Sequence, residues 1–236
     1  LGNPVRKNLK KQDQGSLFGE EQTQNIITEA TAKKDLSSIS HNYKTINEIE
    51  DLKKLVKEIQ TNGAFCFDTE TTSLHPLDAR LVGIAFSYKA HEAYYIPYPE
   101  DEPTVIALNE VLKPLFEDPS IEITGQNIKY DLHVLKNYGI EVKGKLFDTM
   151  VAHYVLHPDR KHNLNAMAEE YLGYSMVKIE ELIGKKGKMQ ANFRSVSVEK
   201  ATEYAGEDAD ITWQLANIFK EEIQKKKLEN LAYDIE

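Results

Sequence analysis

Two acidic residues, Asp68 and Glu70, stand two positions apart in FDTET, at the end of the apolar run AFCF. If this run is a β-strand, side chains two positions apart point to the same face, so the two carboxylates converge. Neighbouring ionised carboxylates raise each other's pKa unless a cation holds them ionised, and Mg²⁺ prefers oxygen ligands. The pair indicates a divalent metal site, although this segment alone leaves open a loop with two solvated acids.

Two further segments place acids on predicted helices. In GQNIKYDLHVLKNYG, Asp131 flanks an apolar stripe and is expected at the border between the core and a cleft. In YAGEDADITW, Tyr204 and Asp208 are four positions apart and share one helix face. Glu207 and Asp210 are expected to be solvent-exposed or structural. Taken singly, each of these residues is more often an exposed helix position than part of a site.

A central sheet with flanking helices is predicted to position these acids. Alternating apolar residues predict strands at AFCFDTET and at residues 81–88, 93–98 and 121–124, the first three forming an antiparallel meander that feeds a mixed sheet. Apolar residues at helical spacing predict helices over residues 48–60, 104–116, 127–138, 149–156, 164–172 and 198–227. This order is typical of an α/β domain.

The composition indicates one domain with a polar extension. Of the 236 residues, 41% are hydrophobic, enough for one core, whereas residues 1–38 are polar and are predicted to be a flexible linker. Cys66, within the apolar run, is expected to be a small buried hydrophobe. No apolar run is long enough for a membrane helix and no signal pattern is present, so a cytoplasmic protein is expected.

The net charge of -9 argues against a module that binds duplex nucleic acid mainly by neutralising phosphates. It argues less against a nuclease, because acids that hold divalent cations become a phosphate-binding site once the metals are present.

The motifs FDTET, NIKYD and YAGED, in this order, resemble those of the tyrosine branch of the DEDD exonuclease superfamily. From about residue 39 to residue 215 the chain also resembles the proofreading domain of bacterial DNA polymerase I, through VGIAF, LKPLFED, NYGIEVKG, FDTMVAHYVL, KGK and YAGEDADIT. The resemblance implies a ribonuclease H-like α/β fold, with a mixed central β-sheet flanked by α-helices. The implied activity is metal-dependent removal of nucleoside monophosphates from single-stranded or frayed DNA 3′ ends.

The same resemblance implies an exonuclease domain over residues 39–230. Residues 231–236 would then begin the connection to a polymerase domain, which would be the partner of this domain in the full-length chain. No polymerase activity, membrane association or oligomer is expected of this part alone.

Five residues receive implied roles in the chemistry. Asp68, Glu70, Asp131 and Asp208 are expected to hold two divalent cations, Mg²⁺ in the first place, with Mn²⁺ or Zn²⁺ as alternatives. Asp68 would bridge both cations, Glu70 and Asp208 would complete the tighter site, and Asp131 would hold the second largely through water. Tyr204 and Glu70 would orient the attacking water. A pair of metals about 4 Å apart stabilises both the attacking and the leaving oxygen of an in-line displacement.

Substrate contacts are implied less directly. Leu74 and Phe193 match an apolar wedge and a stacking face for the terminal bases, and stacking tolerates any sequence. Lys161 stands where the family has arginine, which keeps the charge but loses bidentate phosphate binding. The full implied set is Thr71, Leu74, Gln126, Asn127, Tyr130, Lys161 and Phe193.

Other polar residues are given different expectations. Asp148 is expected to cap the helix that begins at Thr149. His153 and His157 are four positions apart, a spacing that suits a metal, but the resemblance gives them no such role. Basic residues between positions 172 and 198 are expected to contact the nucleic-acid backbone if their loop closes over the strand, and they are Lys185, Lys186, Lys188 and Arg194.

Two alternatives remain from the sequence. A ribonuclease D-like RNA exonuclease shares the fold and the tyrosine-type third motif, although KGK and NYGIEVKG favour the polymerase type. A non-catalytic scaffold domain would keep the fold and lose acids from the motifs, whereas all four acids are present.

Overall fold

The computed structural model describes residues 34–185, 187 and 189–234. The predicted linker over residues 1–38 lies almost wholly outside this range, as do Lys186 and Lys188 of the basic loop. Within the range, no helix is both long and apolar enough to cross a membrane.

One mixed sheet of six strands forms the centre of the described domain. The strands are β1 (Asn42–Thr45), β2 (Ala64–Thr71), β3 (Leu81–Lys89), β4 (Glu92–Pro97), β5 (Glu122–Gly125) and β6 (Lys145–Asp148). Their order is β1-β4-β3-β2-β5-β6, antiparallel between β2 and β3 and between β3 and β4, and parallel elsewhere. The predicted antiparallel meander within a mixed sheet is confirmed.

Helices join and cover the strands. They are α1 (Ile49–Asn62), α2 (Glu102–Phe116), α3 (Lys129–Asn137), α4 (Thr149–Leu156), α5 (Leu164–Met167), α6 (Ile179–Ile183), α7 (Val198–Lys226) and α8 (Glu229–Asp234). The helix predicted over residues 164–172 is α-helical only as far as Met167 and continues as a π-helical turn, Ala168–Leu172.

Local signals explain where several helices begin and end. Gly63 ends α1 in the left-handed conformation, with φ of 77° and its N–H bonded to the Ile59 carbonyl. Ser197 caps α7, since its hydroxyl accepts from the N–H of Lys200. Asp148 caps α4, as expected, by accepting from the N–H groups of Met150 and Val151.

The two faces of β2 carry different side chains. Phe65 and Phe67 lie in the core that α1 and α2 cover, and the ring centroids of Phe67 and Phe116 are 5.0 Å apart. Because strand side chains alternate, Asp68 and Glu70 lie on the opposite face, together with the fully buried Cys66. Helix α7 contacts the sheet and carries the third motif.

Small residues allow α7 to approach the strands closely. Ala201, Ala205 and Ala209 lie on one buried stripe of α7. A Cβ atom added at Gly206 would lie 3.0 Å from the ring of Tyr43 on β1. The close approach places the third motif next to the end of β2.

Candidate metal centre and active site

The end of β2 presents the first two acids. Its pairing with β3 shifts register between Glu70 and Thr71, so the regular ladder stops there. Opposite Glu70 stands Gly83, where a Cβ atom would fall 2.1 Å from the hydroxyl oxygen of Tyr95. The Tyr95 ring therefore needs glycine at this position, and it lies on the same face of the sheet as Glu70.

Three carboxylates converge at this point. Asp68, Glu70 and Asp208 each offer an oxygen, and these oxygens lie within 4.8 Å of one another. It is the one such group of three or more acids, histidines or cysteines found among the described residues. Asp208 on α7 and the acids on β2 are about 140 residues apart in sequence, and local sequence patterns do not predict a contact at such a separation.

Asp131 approaches the same strand end but is bound differently. The backbone N–H of Thr69 donates to its Oδ1 at 3.1 Å, and the Thr69 hydroxyl donates to the same oxygen. Asp131 is 4% exposed, so it is more deeply buried than the expected position at the border between core and cleft. Sequence reasoning did not find Thr69, although its place between the two acids of FDTET puts it on the other face of β2.

All four acids have a raised pKa, since Glu70 and Asp131 are buried and Asp68 and Asp208 are half-buried in the same cluster. Burial raises the pKa of Asp68 to about 6. Burial, and then the charge of Asp68, also raise the pKa of Glu70, Asp131 and Asp208. Hydrogen bonds from Thr69 partly oppose the increase at Asp131. The group therefore favours cations or protons over four free negative charges.

Tyr204 lies one helical turn before Asp208 and belongs to the same site. Burial and the charges of Asp208 and Glu70 raise the pKa of its phenol far above the ordinary value. The phenol is therefore a hydrogen-bond donor at any physiological pH, and its bond to Asp208 lowers the pKa of that acid. The ring centroid of Tyr204 lies 5.9 Å from that of Phe193.

An open cleft of about 470 Å³ runs past the carboxylates. Leu74, on the loop after β2, lines the cleft and is 87% exposed, whereas Phe193 also lines it and is 4% exposed. Tyr130 is held against the Leu74 loop, because its hydroxyl contacts the Thr71 hydroxyl at 2.6 Å and donates to the Ser73 carbonyl. The structure thus brings these predicted substrate residues to one cleft.

Gln126, Asn127 and Lys161 lie on a different flank. The Gln126 side chain donates to the carbonyl of His162 at 2.9 Å, and Lys161, next to His162, is exposed. Asn127 adopts a left-handed conformation with φ of 57°. Asp148 holds this corner, since its carboxylate accepts from the N–H of Asn127 at 3.0 Å.

Glu207 and Asp210 are structural, and the solvent-exposed alternative for them was wrong. Both are 0% exposed. Glu207 accepts from the Tyr174 hydroxyl at 2.7 Å and from the Val177 N–H at 2.8 Å. Asp210 accepts from the Tyr43 hydroxyl at 2.8 Å. These bonds fix α7 to the surrounding chain on the sides away from the carboxylates.

Arg194, expected at the nucleic-acid backbone, is engaged within the fold. Its guanidinium donates to the carbonyls of Leu81 and Tyr98, at 2.6 and 3.0 Å. The bonds tie the short 3₁₀ helix Phe193–Ser195 to the start of β3 and the end of β4. Arg194 thereby places Phe193 at the cleft.

Comparison with known proteins agrees with this geometry. A family model described as a 3′-5′ exonuclease of A-type DNA polymerases matches residues 43–224, more than half of the chain. The chain is 36% identical to DNA polymerase I of Borreliella burgdorferi over 98% of its own length and 25% of that protein. It is 38% identical to DNA polymerase I of Pseudomonas aeruginosa over 68% of its own length and 18% of that protein. The chain therefore spans a quarter or less of these relatives.

Among solved structures, Escherichia coli RNase D, an exoribonuclease involved in structured RNA processing, is similar with a TM-score of 0.64 and 23% identity. The match covers 82% of this chain and 48% of that one. This likeness shows the fold, and the predicted ribonuclease H-like architecture is confirmed. Together with the family model, the relatives show that the chain belongs to the 3′-5′ exonuclease family, in the form found as a domain of DNA polymerase I.

Proposed function

We propose that this domain removes nucleoside monophosphates from unpaired DNA 3′ ends by two-metal phosphodiester hydrolysis, as a proofreading exonuclease does. The observation that carries the proposal is the convergence of Asp68, Glu70 and Asp208 within 4.8 Å, with Asp131 beside them. A non-catalytic scaffold has no need to hold mutually repelling acids together in an open cleft.

The donor set fits hard divalent cations. All the candidate ligands are carboxylates, which suit Mg²⁺ and Mn²⁺ better than the nitrogen and sulfur ligands typical of structural zinc. Asp68, Glu70 and Asp208 would hold one ion, and Asp131, with Asp68, would help to hold the second. When bound, the ions would supply a nucleophilic hydroxide near neutral pH and stabilise the leaving 3′ oxygen. Mg²⁺ is the cation we propose, with Mn²⁺ or Zn²⁺ as alternatives.

The protein's own groups orient the water and the phosphate. Tyr204 remains a neutral phenol with a single O–H, and if this O–H turns away from Asp208 it can donate a hydrogen bond to the attacking water or to a phosphate oxygen. Glu70, together with Tyr204, would orient the attacking water. Thr69 holds Asp131 in place and does not itself need to touch substrate.

The cleft suits an unpaired strand. Leu74 and Phe193 both offer apolar surface to the cleft, where terminal bases can stack without regard to sequence. Thr71, Gln126, Asn127, Tyr130 and Lys161 complete the proposed substrate contacts. DNA is proposed over RNA because both compared relatives that exceed 30% identity are DNA polymerases.

In the whole protein, the proposed partner is a polymerase domain of the same chain, which would deliver a frayed 3′ end. This is supported by relatives that are DNA polymerases I several times longer than this chain. The exonuclease domain would span residues 39–230, with residues 231–236 beginning the connection. The proposed activity places the protein in the cytoplasm and needs no oligomer.

The test uses 5′-labelled DNA and RNA single strands of one sequence, incubated with the chain in Mg²⁺, in Mn²⁺ and in EDTA. We expect a metal-dependent ladder that shortens from the 3′ end, faster on DNA, and no ladder from an Asp68→Ala, Asp208→Ala double variant. Asp159→Ala, a change at an exposed acid elsewhere, is the matched control. Faster trimming of RNA would favour the ribonuclease D alternative. Intact strands in every lane, from a chain shown to be folded by circular dichroism, would favour the scaffold.

A further inference from the structure

An exposed aromatic side chain lies beside a cationic one on the flank of the cleft. Tyr154, on α4, is 56% exposed. Its ring centroid is 5.3 Å from that of His162, with the planes at 76°. Lys161, adjacent to His162, is also exposed. We call Tyr154, Lys161 and His162 the flank patch.

Buried contacts hold the flank patch in place. His153, which is 0% exposed, has its Nδ1 atom 2.7 Å from Nδ1 of His162. The His162 carbonyl accepts from the Gln126 side chain at 2.9 Å. The imidazole of His162 is therefore fixed from inside the domain and on its backbone, and it supports the edge of the Tyr154 ring. A preorganised ring loses little conformational entropy when a ligand stacks on it.

Side-chain contacts also connect the flank patch to the proposed catalytic cleft. Leu74 lines the cleft beside Thr71, and the hydroxyl of Thr71 contacts that of Tyr130. Tyr130 is on the first turn of α3, four residues after Gln126, and Gln126 bonds to the flank patch. These contacts link Tyr154, through His162 and Gln126, to the start of α3, where Tyr130 lines the cleft.

An exposed ring next to a cation is the combination that single-stranded nucleic acid binds. Successive bases stack on aromatic faces, and basic side chains follow the phosphates. The net charge of -9 makes local cations at the strand's path more important, because the domain as a whole repels DNA.

We propose that the flank patch is a binding subsite for the single strand upstream of its last two nucleotides, with Tyr154 stacking on a base and Lys161 pairing with a phosphate. The proposal rests on the proposed function and extends it, because it assigns a site to bases that are not themselves hydrolysed. It also gives the His153–His162 contact a role, as support for the stacking ring.

The test compares Tyr154→Ala with Tyr154→Phe, which keeps a stacking ring. The substrates are a 5′-labelled DNA octanucleotide and a dinucleotide, in Mg²⁺. For Tyr154→Ala we expect KM for the octanucleotide to rise roughly 5- to 10-fold, with kcat nearly unchanged and the dinucleotide unaffected. Tyr154→Phe should behave as wild type. Ile106→Ala, at a 50% exposed apolar residue on α2, is the matched control and should change neither substrate.

Unchanged kinetics of Tyr154→Ala on the octanucleotide would overturn the proposal. So would an equal loss on both substrates, because Tyr154 would then act through the active site and not through upstream bases.

A second measurement stands apart from hydrolysis. Octanucleotides carrying 5-iodouracil at one position each are cross-linked by light to the Asp68→Ala variant. A peptide containing Tyr154 is expected from an upstream position and not from the terminal one, whereas its absence at every position would overturn the proposal. If the wild-type chain hydrolyses neither oligonucleotide, the proposed function fails, and the cross-links alone decide on the flank patch.

Discussion

Replacing Asp68 with asparagine should stabilise the domain when divalent cations are removed. The substitution keeps the size of the side chain and removes one negative charge from the carboxylate group. Burial raises the pKa of Asp68 from its ordinary 3.8 to about 6, so the folded chain binds this proton more tightly than the unfolded chain does. The associated stability is fully present below pH 3.8 and is lost as the pH rises through about 6.

The magnitude follows from this difference. At about 1.4 kcal/mol for each tenfold change in the acid constant, ionisation of Asp68 would cost up to about 3 kcal/mol. Because the side chain is half-buried, solvent screening reduces this to about 2 kcal/mol. For a domain of this size, we expect Asp68→Asn to melt about 4 to 8 °C higher than wild type at pH 8 in EDTA. Removing the charge of Asp68 also relieves repulsion on Glu70, Asp131 and Asp208.

The assay is thermal unfolding followed by circular dichroism at pH 5 and pH 8, in EDTA and in Mg²⁺. At pH 5 in EDTA the two proteins should melt close together, because Asp68 is then mostly protonated in the folded chain. Mg²⁺ at pH 8 should raise the melting temperature of wild type more than that of Asp68→Asn, since ions that bind only the folded chain stabilise it. Asp159→Asn, at an exposed acid, is the control. A variant that melts lower than wild type by equal amounts at both pH values would refute the reasoning.

Three further changes test other parts of the site. Tyr204→Phe should lower kcat on single-stranded DNA roughly 100-fold, because a donor near the reacting phosphate is lost, with the melting temperature as a check on folding; an unchanged kcat would remove Tyr204 from the proposed mechanism. Glu207→Ala should lower the free energy of unfolding, measured in urea, by about 2 to 4 kcal/mol, because Tyr174 and Val177 lose a buried acceptor. A loss below about 0.5 kcal/mol, which is typical of a surface substitution, would contradict this account. Gly83→Ala should cost about 1 to 3 kcal/mol in the same measurement, because the new Cβ atom meets the Tyr95 ring, and a neutral result would show that the ring can move aside.

Strong local signals allowed most elements of the sheet to be predicted from the sequence. The run AFCFDTET became β2 over the same eight residues, and helix α4 spans the predicted 149–156. The elements that were not predicted are short and weakly patterned. Strand β1, NYKT, has four residues, and its place in the sheet is set by its parallel pairing with β4 and by bonds to α7, such as the one from Tyr43 to Asp210. A strand fixed by a partner about 170 residues away cannot be found from its own periodicity.

The site shows the same division between local and distant information. The shared face of Asp68 and Glu70 follows from strand alternation, and that of Tyr204 and Asp208 from helix geometry. That these two pairs meet, however, depends on how α7 crosses the sheet, and only the family resemblance pointed to it before the structure did. The burial of Phe193 and the internal bonds of Arg194 had no sequence signal, because a basic loop residue that binds carbonyl groups cannot be distinguished from one that binds phosphate.

The different environment of Asp131 has a consequence for how the proposed cations would bind. Thr69 points to the face of β2 opposite Asp68 and Glu70, and its N–H and hydroxyl both donate to Oδ1 of Asp131. Hydrogen bonds of this kind stabilise the ionised carboxylate, but they occupy lone pairs of Oδ1 that would otherwise be free to bind a cation. Asp68, Glu70 and Asp208 are the three acids whose oxygens lie within 4.8 Å of one another. One proposed cation would therefore have three converging carboxylates and the other fewer, so the two ions should bind with unequal affinity, the ion beside Asp131 being the weaker.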